Sequence, residues 1–205
     1  MVSQASKFGD VFVADDGSTD ETAKISTANG ARVISQGVNV GYNSNLSFGL
    51  QILLRDGYDG VVTLDADGQH DPNQVGIFID GLLNGFDLVV GTRPEKARVM
   101  EKIFGLVTSF FWKVSDPLCG MKAYSAGLLR DKARLVTYDS VGTEILMFAM
   151  AKKRKILVVS ISGLERDGAS RFAGTIRANE LLAISLIVGM FRALVWSTTR
   201  RQLRE

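Results

Sequence analysis

Gly60-Val61-Val62-Thr63-Leu64-Asp65-Ala66-Asp67-Gly68-Gln69-His70-Asp71-Pro72 is the run from which the fold is read most directly. Its first half is apolar and stops at two acids and a glycine, which predicts a buried strand, Gly60 to Leu64, ending in a loop. Asp71-Pro72 then opens a helix, because Asp caps well and Pro suits the first helical position. Behind it Val75, Ile77, Phe78, Leu82 and Leu83 are expected to face a core. The same pattern occurs upstream. Val11 to Ala14 reads as a short strand running into Asp15-Asp16-Gly17-Ser18. Ser18 with Glu21 fits a capping box, predicting a helix from about Thr19 to about Ala28 that stops at Asn29-Gly30.

Further out, Arg32 to Ser35, Asp87 to Gly91 and Lys155 to Ile161 read as strands. Leu46 to Leu54, Gly142 to Lys152 and Thr175 to about Trp196 read as helices, and Val99, Ile103, Leu106, Val107, Phe110, Phe111 and Val114 keep a helical period. Strands alternating with helices predict an α/β fold: a mostly parallel sheet with helices on both faces. Residues 1–174 are read as one domain and 175–205 as a C-terminal helix, a candidate for a membrane interface.

The chain has 205 residues, 46% of them apolar and 22% charged, enough to bury a core and too much for a disordered chain. A net charge of +2 gives no reason to expect nucleic acid as a partner. One cysteine, Cys119, and one histidine, His70, exclude an internal disulfide and a Cys/His zinc site, and a reducing, cytoplasmic location is the default. Met1 to Gly9 lacks the apolar core of a signal peptide, and Leu181 to Phe191 is too short for a bilayer of ~30 Å.

Asp65 and Asp67 carry the clearest chemistry. Residues two apart in extended chain point the same way, so two carboxylates converge at the end of a strand. They repel unless a cation sits between them, and hard ions such as Mg²⁺ and Mn²⁺ take a few carboxylates plus phosphate oxygens. Ligands of open α/β sheets bind beyond these strand ends. A solvated polar loop is the plain alternative. Asp15 and Asp16 end a strand in the same way and suit a nucleobase or sugar edge, or helix capping.

Taken together, Val13-Ala14-Asp15-Asp16-Gly17-Ser18-Thr19-Asp20 and Leu64-Asp65-Ala66-Asp67-Gly68-Gln69-His70-Asp71-Pro72 resemble the family 2 glycosyltransferases of the GT-A (Rossmann-like) fold. Asp87-Leu88-Val89-Val90-Gly91-Thr92-Arg93 resembles that family's next strand. Asp116-Pro117-Leu118-Cys119-Gly120-Met121-Lys122-Ala123-Tyr124 and Arg166-Asp167-Gly168-Ala169-Ser170-Arg171 resemble its dolichol- or polyprenyl-phosphate mannosyl/glucosyltransferase branch. The resemblance implies an inverting hexosyltransferase that uses a GDP- or UDP-sugar donor and a divalent ion. Asp67 of the DXD motif would bind the metal, with Asp65 on the metal or the ribose. Asp15 or Asp16 would contact the nucleobase, and Arg93, Arg166 and Arg171 would neutralise phosphate. Arginine suits that role because its planar fork matches phosphate oxygens.

The acceptor stays open between a lipid phosphate, which is already an anion, and a sugar hydroxyl of a surface polysaccharide, which needs a base. Asp116 and Glu144 are the candidate bases, Glu144 being equally a first-turn helix acid. His70 is a candidate for the metal or diphosphate and equally for the loop. Phe110, Phe111 and Trp112 with Lys102 and Lys113, and Trp196 with Arg200, Arg201 and Arg204, suit peripheral contact with a membrane, or a core. Against the family pattern the chain is N-terminally truncated and starts at what should be the second strand. Three expectations follow: a fragment, direct pairing of the two strands that flank the missing one, or a strand from another chain or a homo-oligomer. A non-catalytic domain acting through partner binding is the reading from another class.

Overall fold

A computed structural model of the chain describes residues 1–94, 99–132, 140–162 and 176–198. In order, these form helix Val2–Ala5 (α1), strand Phe12–Asp15 (β1), helix Thr22–Ala28 (α2), strand Arg32–Ser35 (β2), helix Tyr42–Arg55 (α3) and strand Gly60–Thr63 (β3). A 3₁₀ turn at Pro72–Gln74 leads into helix Val75–Leu83 (α4) and strand Leu88–Thr92 (β4). Helix Val99–Trp112 (α5), strand Lys122–Ser125 (β5), helices Ala126–Lys132 (α6) and Val141–Ala151 (α7), strand Ile156–Ser160 (β6) and helix Ile176–Thr198 (α8) complete it.

The central sheet is four-stranded, in the order β3-β5-β4-β6. β4 and β6 are parallel, and β5 runs antiparallel to both β3 and β4, so β3, β4 and β6 share one direction. β1 and β2 form a separate parallel pair. Three of the four central strands therefore share a direction, as the alternation predicts, with β5 the exception. Along β4 successive side chains enter opposite cores. Leu88 and Val90 meet Leu50, Phe104, Ile145, Leu146 and Leu186 from α3, α5, α7 and α8. Val89 meets Val75 and Phe78 of α4. Helices thus cover both faces, and full burial of a side chain such as Phe78 contributes about 1.5–3 kcal/mol.

The sequence expectations need correcting in several places. The Ser18–Glu21 capping box does not form. Ser18 N–H is given to Asp15, and α2 begins at Thr22, whose N–H is accepted by Asp20 Oδ1 at 2.9 Å. The stripe on α4 is narrower than its spacing suggests, since Ile77 and Leu83 are exposed while Val75 and Phe78 are buried. β5 was not expected as a strand, nor α6 as a helix. Direct pairing of the strands flanking a missing one is not what happens: β1 bonds only β2, and β3 only β5, among the described residues. The first residues bridge the two parts instead. Ser3 Oγ bonds Asn29 Oδ1 at the end of α2, and the Phe8 ring lies against Gly76 of α4.

Candidate active site

The strand direction brings Asp65 and Arg93, from the loops after β3 and β4, to the carboxyl end of one sheet, where open α/β sheets hold their ligands. Asp65 is held at several points. Its backbone N–H donates to His70 Nδ1 at 3.0 Å, and the Tyr42 hydroxyl donates to its Oδ1 at 3.4 Å. Its carboxylate also lies over Gly120, where a Cβ would overlap it. Asp67 Oδ1 accepts Gln69 N–H at 3.1 Å. Asp65 keeps 38% of its side chain exposed, so a ligand can reach it.

His70 is buried and serves the loop. Since Nδ1 accepts a backbone proton, the ring is neutral with its proton on Nε2, which faces Cys119 Sγ at 3.9 Å. Burial holds its pKa below the usual histidine value, against the pull of Asp65 and Asp67.

Arg93 and Asp116 form a two-pronged pair. Nε donates to Oδ2 at 2.8 Å, Nη2 to Oδ1 at 3.0 Å, and Arg93 N–H to Oδ2 at 3.1 Å. Glu101 of α5 stands 3.6 Å from the same guanidinium. Burial alone would raise the Asp116 pKa, but the bonds and charge of Arg93 outweigh it and hold the carboxyl below its ordinary value. The folded pKa lies below the unfolded one, about 3.9. The pair's stabilisation is therefore present above that pH and lost as pH falls through the folded value. Asp116→Asn is expected to lower unfolding free energy by about 3 kcal/mol at pH 7. Chemical denaturation of both proteins down to acid pH should show the gap closing.

The sequence reading overlooked Lys122. It is buried on β5, with Nζ donating to the Cys119 carbonyl. Burial pushes its pKa down, while Cys119, Asp116 and Asp65 pull the other way. The available signal was a lone lysine in the apolar run Met121 to Tyr124.

On the β1 side Asp15 is buried and accepts Ser18 N–H on both oxygens at 3.3 and 3.4 Å. Asp16 Oδ1 accepts Val40 N–H at 2.8 Å, which clasps this loop to the one after β2. Gly17 sits between them at φ 73°, where a Cβ would come within 2.7 Å of Asn39 N. Glu144 lies elsewhere. It is fully buried in α7, paired with Lys132 of α6 at 2.8 Å and with Arg192 of α8 at 3.6 Å. Lys132 in turn stands over the Phe148 and Trp196 rings. Arg166 and Arg171 lie outside the described residues.

Among the described residues no three His, Cys, Asp or Glu side chains cluster as a metal site. Asp65 and Asp67 offer two hard oxygen donors at an accessible strand end. That donor set suits Mg²⁺ or Mn²⁺ shared with phosphate oxygens, and does not suit an all-protein cage.

Residues 2–153 match the family model for glycosyl transferase family 2. The chain is a family 2 glycosyltransferase. Polyprenol monophosphomannose synthase of Mycolicibacterium smegmatis is 28% identical to this glycosyltransferase over 192 residues, covering 80% of this chain and 71% of that protein. Dolichyl-phosphate hexose transferase of Haloferax volcanii is 31% identical over 172 residues, covering 78% and 73%. A crystal structure of glucosyl-3-phosphoglycerate synthase from Mycobacterium tuberculosis, in complex with Mn²⁺, uridine diphosphate and glucosyl-3-phosphoglycerate, superposes with a TM-score of 0.72 over 94% of this chain and 73% of that one. At 23% identity that likeness speaks to the fold, which is of the GT-A type.

Proposed function

We propose that this glycosyltransferase moves a sugar, with inversion, from a nucleotide diphosphate sugar to a polyprenyl (dolichyl-type) phosphate. One observation supports the choice of acceptor: both candidate bases are engaged. A sugar hydroxyl needs a carboxylate to take its proton. Asp116 is clamped by Arg93 and is a weakened base, and Glu144 is buried against Lys132. A phosphate monoester, with a second pKa of about 6, is already anionic near neutral pH and needs no such group. The relatives, a polyprenol monophosphomannose synthase and a dolichyl-phosphate hexose transferase, point the same way.

In this reading the acceptor oxygen attacks the anomeric carbon as the diphosphate leaves, through an oxocarbenium-like transition state. Asp65 and Asp67 would hold Mg²⁺ or Mn²⁺, which would supply positive charge for the departing diphosphate. Arg93, Arg166 and Arg171 add charge for phosphate, and Asp116 aims Arg93. Asp15 and Asp16 shape the nucleobase pocket through the clasped loops. The lipid acceptor sets the work at a membrane surface.

Thermal unfolding with UDP or GDP, with and without Mn²⁺, tests the donor half. Ligand at a hundredfold its Kd stabilises by about 2.7 kcal/mol, a rise of roughly 5–10 °C for a chain of this size. The rise is expected for one nucleotide, only with metal, and not in Asp67→Ala. No rise with either nucleotide would overturn the reading.

The edges of β1 and β3 that carry no partner strand among the described residues favour a second reading, in which a strand of another copy or partner completes the sheet. It predicts a mass above the monomer in light scattering, and a monomer would sink it.

A further inference from the structure

The loop after β2 carries an apolar patch that neither the metal acids nor the Arg93 clamp uses. Val38, Val40 and Tyr42 are 62%, 37% and 58% exposed. Three such side chains in one short loop differ from the single apolar residues scattered over an ordinary surface. The patch lies on the rim where the strands end. β2 runs parallel to β1 and α3 starts at Tyr42, so this loop stands beside the Asp15–Asp16 loop. Asp16 accepts the Val40 N–H at 2.8 Å. Gly17 packs so closely against the same loop that a Cβ would come within 2.8 Å of the Val38 carbonyl carbon.

Tyr42 joins this patch to the other end of the site. Its hydroxyl reaches inward and donates to Asp65 Oδ1 at 3.4 Å, while more than half of the residue stays exposed, so the open surface is mainly ring. Burial of the hydroxyl end and the charge of Asp65 both push the Tyr42 pKa up, which keeps the hydroxyl a proton donor at neutral pH. The first turn of α3 is fixed from another side, where Asn43 Oδ1 accepts the Val141 N–H of α7 at 3.0 Å. A ring held by its hydroxyl on an anchored turn has lost rotamer freedom before any ligand arrives, so stacking on it costs little entropy. The acids on either side, Asp16 and Asp65, select the occupant. A hydrocarbon chain would strip them of water without replacing its hydrogen bonds. A nucleobase offers both a flat face for the ring and N–H groups for carboxylates.

We propose that Tyr42 is a donor-binding residue: the nucleobase of the nucleotide sugar packs on its exposed ring, with Val38 and Val40 at the edge, while its hydroxyl holds Asp65. One side chain thus links the nucleoside end of the donor to the metal end. A base on the ring fixes the side chain that orients Asp65, so nucleoside and metal strengthen each other's binding. The assignment rests on the proposed nucleotide-sugar donor and adds the residue that seats its base.

The test compares Tyr42→Phe, which keeps the ring and loses the hydroxyl, with Tyr42→Ala, which loses both. Titration calorimetry on the full chain measures GDP, UDP and inorganic pyrophosphate, each with Mn²⁺. For the nucleotide that binds, Tyr42→Ala should be weaker than Tyr42→Phe by about tenfold or more, the size of one base–aromatic stack. For pyrophosphate, which has no base, the two variants should bind alike. Their melting temperatures should also match, since exposed substitutions change stability little. Tyr42→Trp gives a reading that does not depend on the alanine variant. Its added indole emission should change with nucleotide and Mn²⁺, and not with pyrophosphate and Mn²⁺. Equal nucleotide affinity of the alanine and phenylalanine variants, an equal loss for pyrophosphate, or an emission blind to nucleotide overturns the proposal alone. A wild-type chain that binds neither nucleotide overturns the donor reading, and this assignment with it.

Discussion

Glu144→Gln is expected to cost the fold about 3–5 kcal/mol, because it removes the carboxylate charge that the buried Lys132 ammonium bonds. Lys132 and Glu144 are 3% and 0% exposed, and their 2.8 Å pair ties α6 to α7, with Arg192 bringing in α8. For a chain of this size the melting temperature should fall by roughly 6–20 °C. Lys132→Met combined with Glu144→Leu should recover most of that loss, since apolar replacement of a whole buried pair is often neutral or stabilising. A general base would behave differently. Glu144→Gln would then leave the melting temperature in place and remove turnover, and thermal melts beside transfer assays tell the two apart.

Gly120→Ala is expected to reduce transfer about a hundredfold while the protein stays folded. The added Cβ would overlap the Asp65 carboxylate and push it from its place beside the Tyr42 hydroxyl. A shift of about 1 Å in a positioned group costs on the order of 10² in rate. The apparent affinity for metal-dependent nucleotide should fall in the same variant if Asp65 and Asp67 hold the metal together as proposed. Unchanged turnover would mean that Asp65 has no part in holding metal or ribose.

How much of this was legible beforehand follows from the range of each signal. The run from Val61 to Asp67 was readable because a β-branched stretch, a stop and two acids lie side by side in the chain. The α5 helix was readable because its period repeats within one element, although Ile103, Leu106, Phe110 and Phe111 of that stripe are exposed and Phe104 and Thr108 are buried instead. Glu144 was not readable. Lys132 and Arg192 reach it only after α6 and α8 have packed on α7, so a base and a brace looked alike. β5 was hidden for a related reason. Its four residues begin with a lysine, and only the Cys119 carbonyl and nearby acids make a buried lysine tolerable there. Ser18 shows the opposite error. The local capping signal was genuine, but Asp15 took the Ser18 N–H first. Arg93 with Asp116 falls between these cases, since both were singled out but as separate groups and not as one clamp.

The proposed acceptor is a lipid phosphate, which attacks with no protein carboxylate as base. Transfer of labelled sugar from GDP- and UDP-sugars with Mn²⁺ to polyprenyl phosphate, polyprenol and glycan acceptors, offered side by side, tests this. Label on polyprenyl phosphate alone, with a rate that falls below about pH 6 as the acceptor takes up its proton, is the predicted result. Label on polyprenol or a glycan hydroxyl, with polyprenyl phosphate inert, would contradict it.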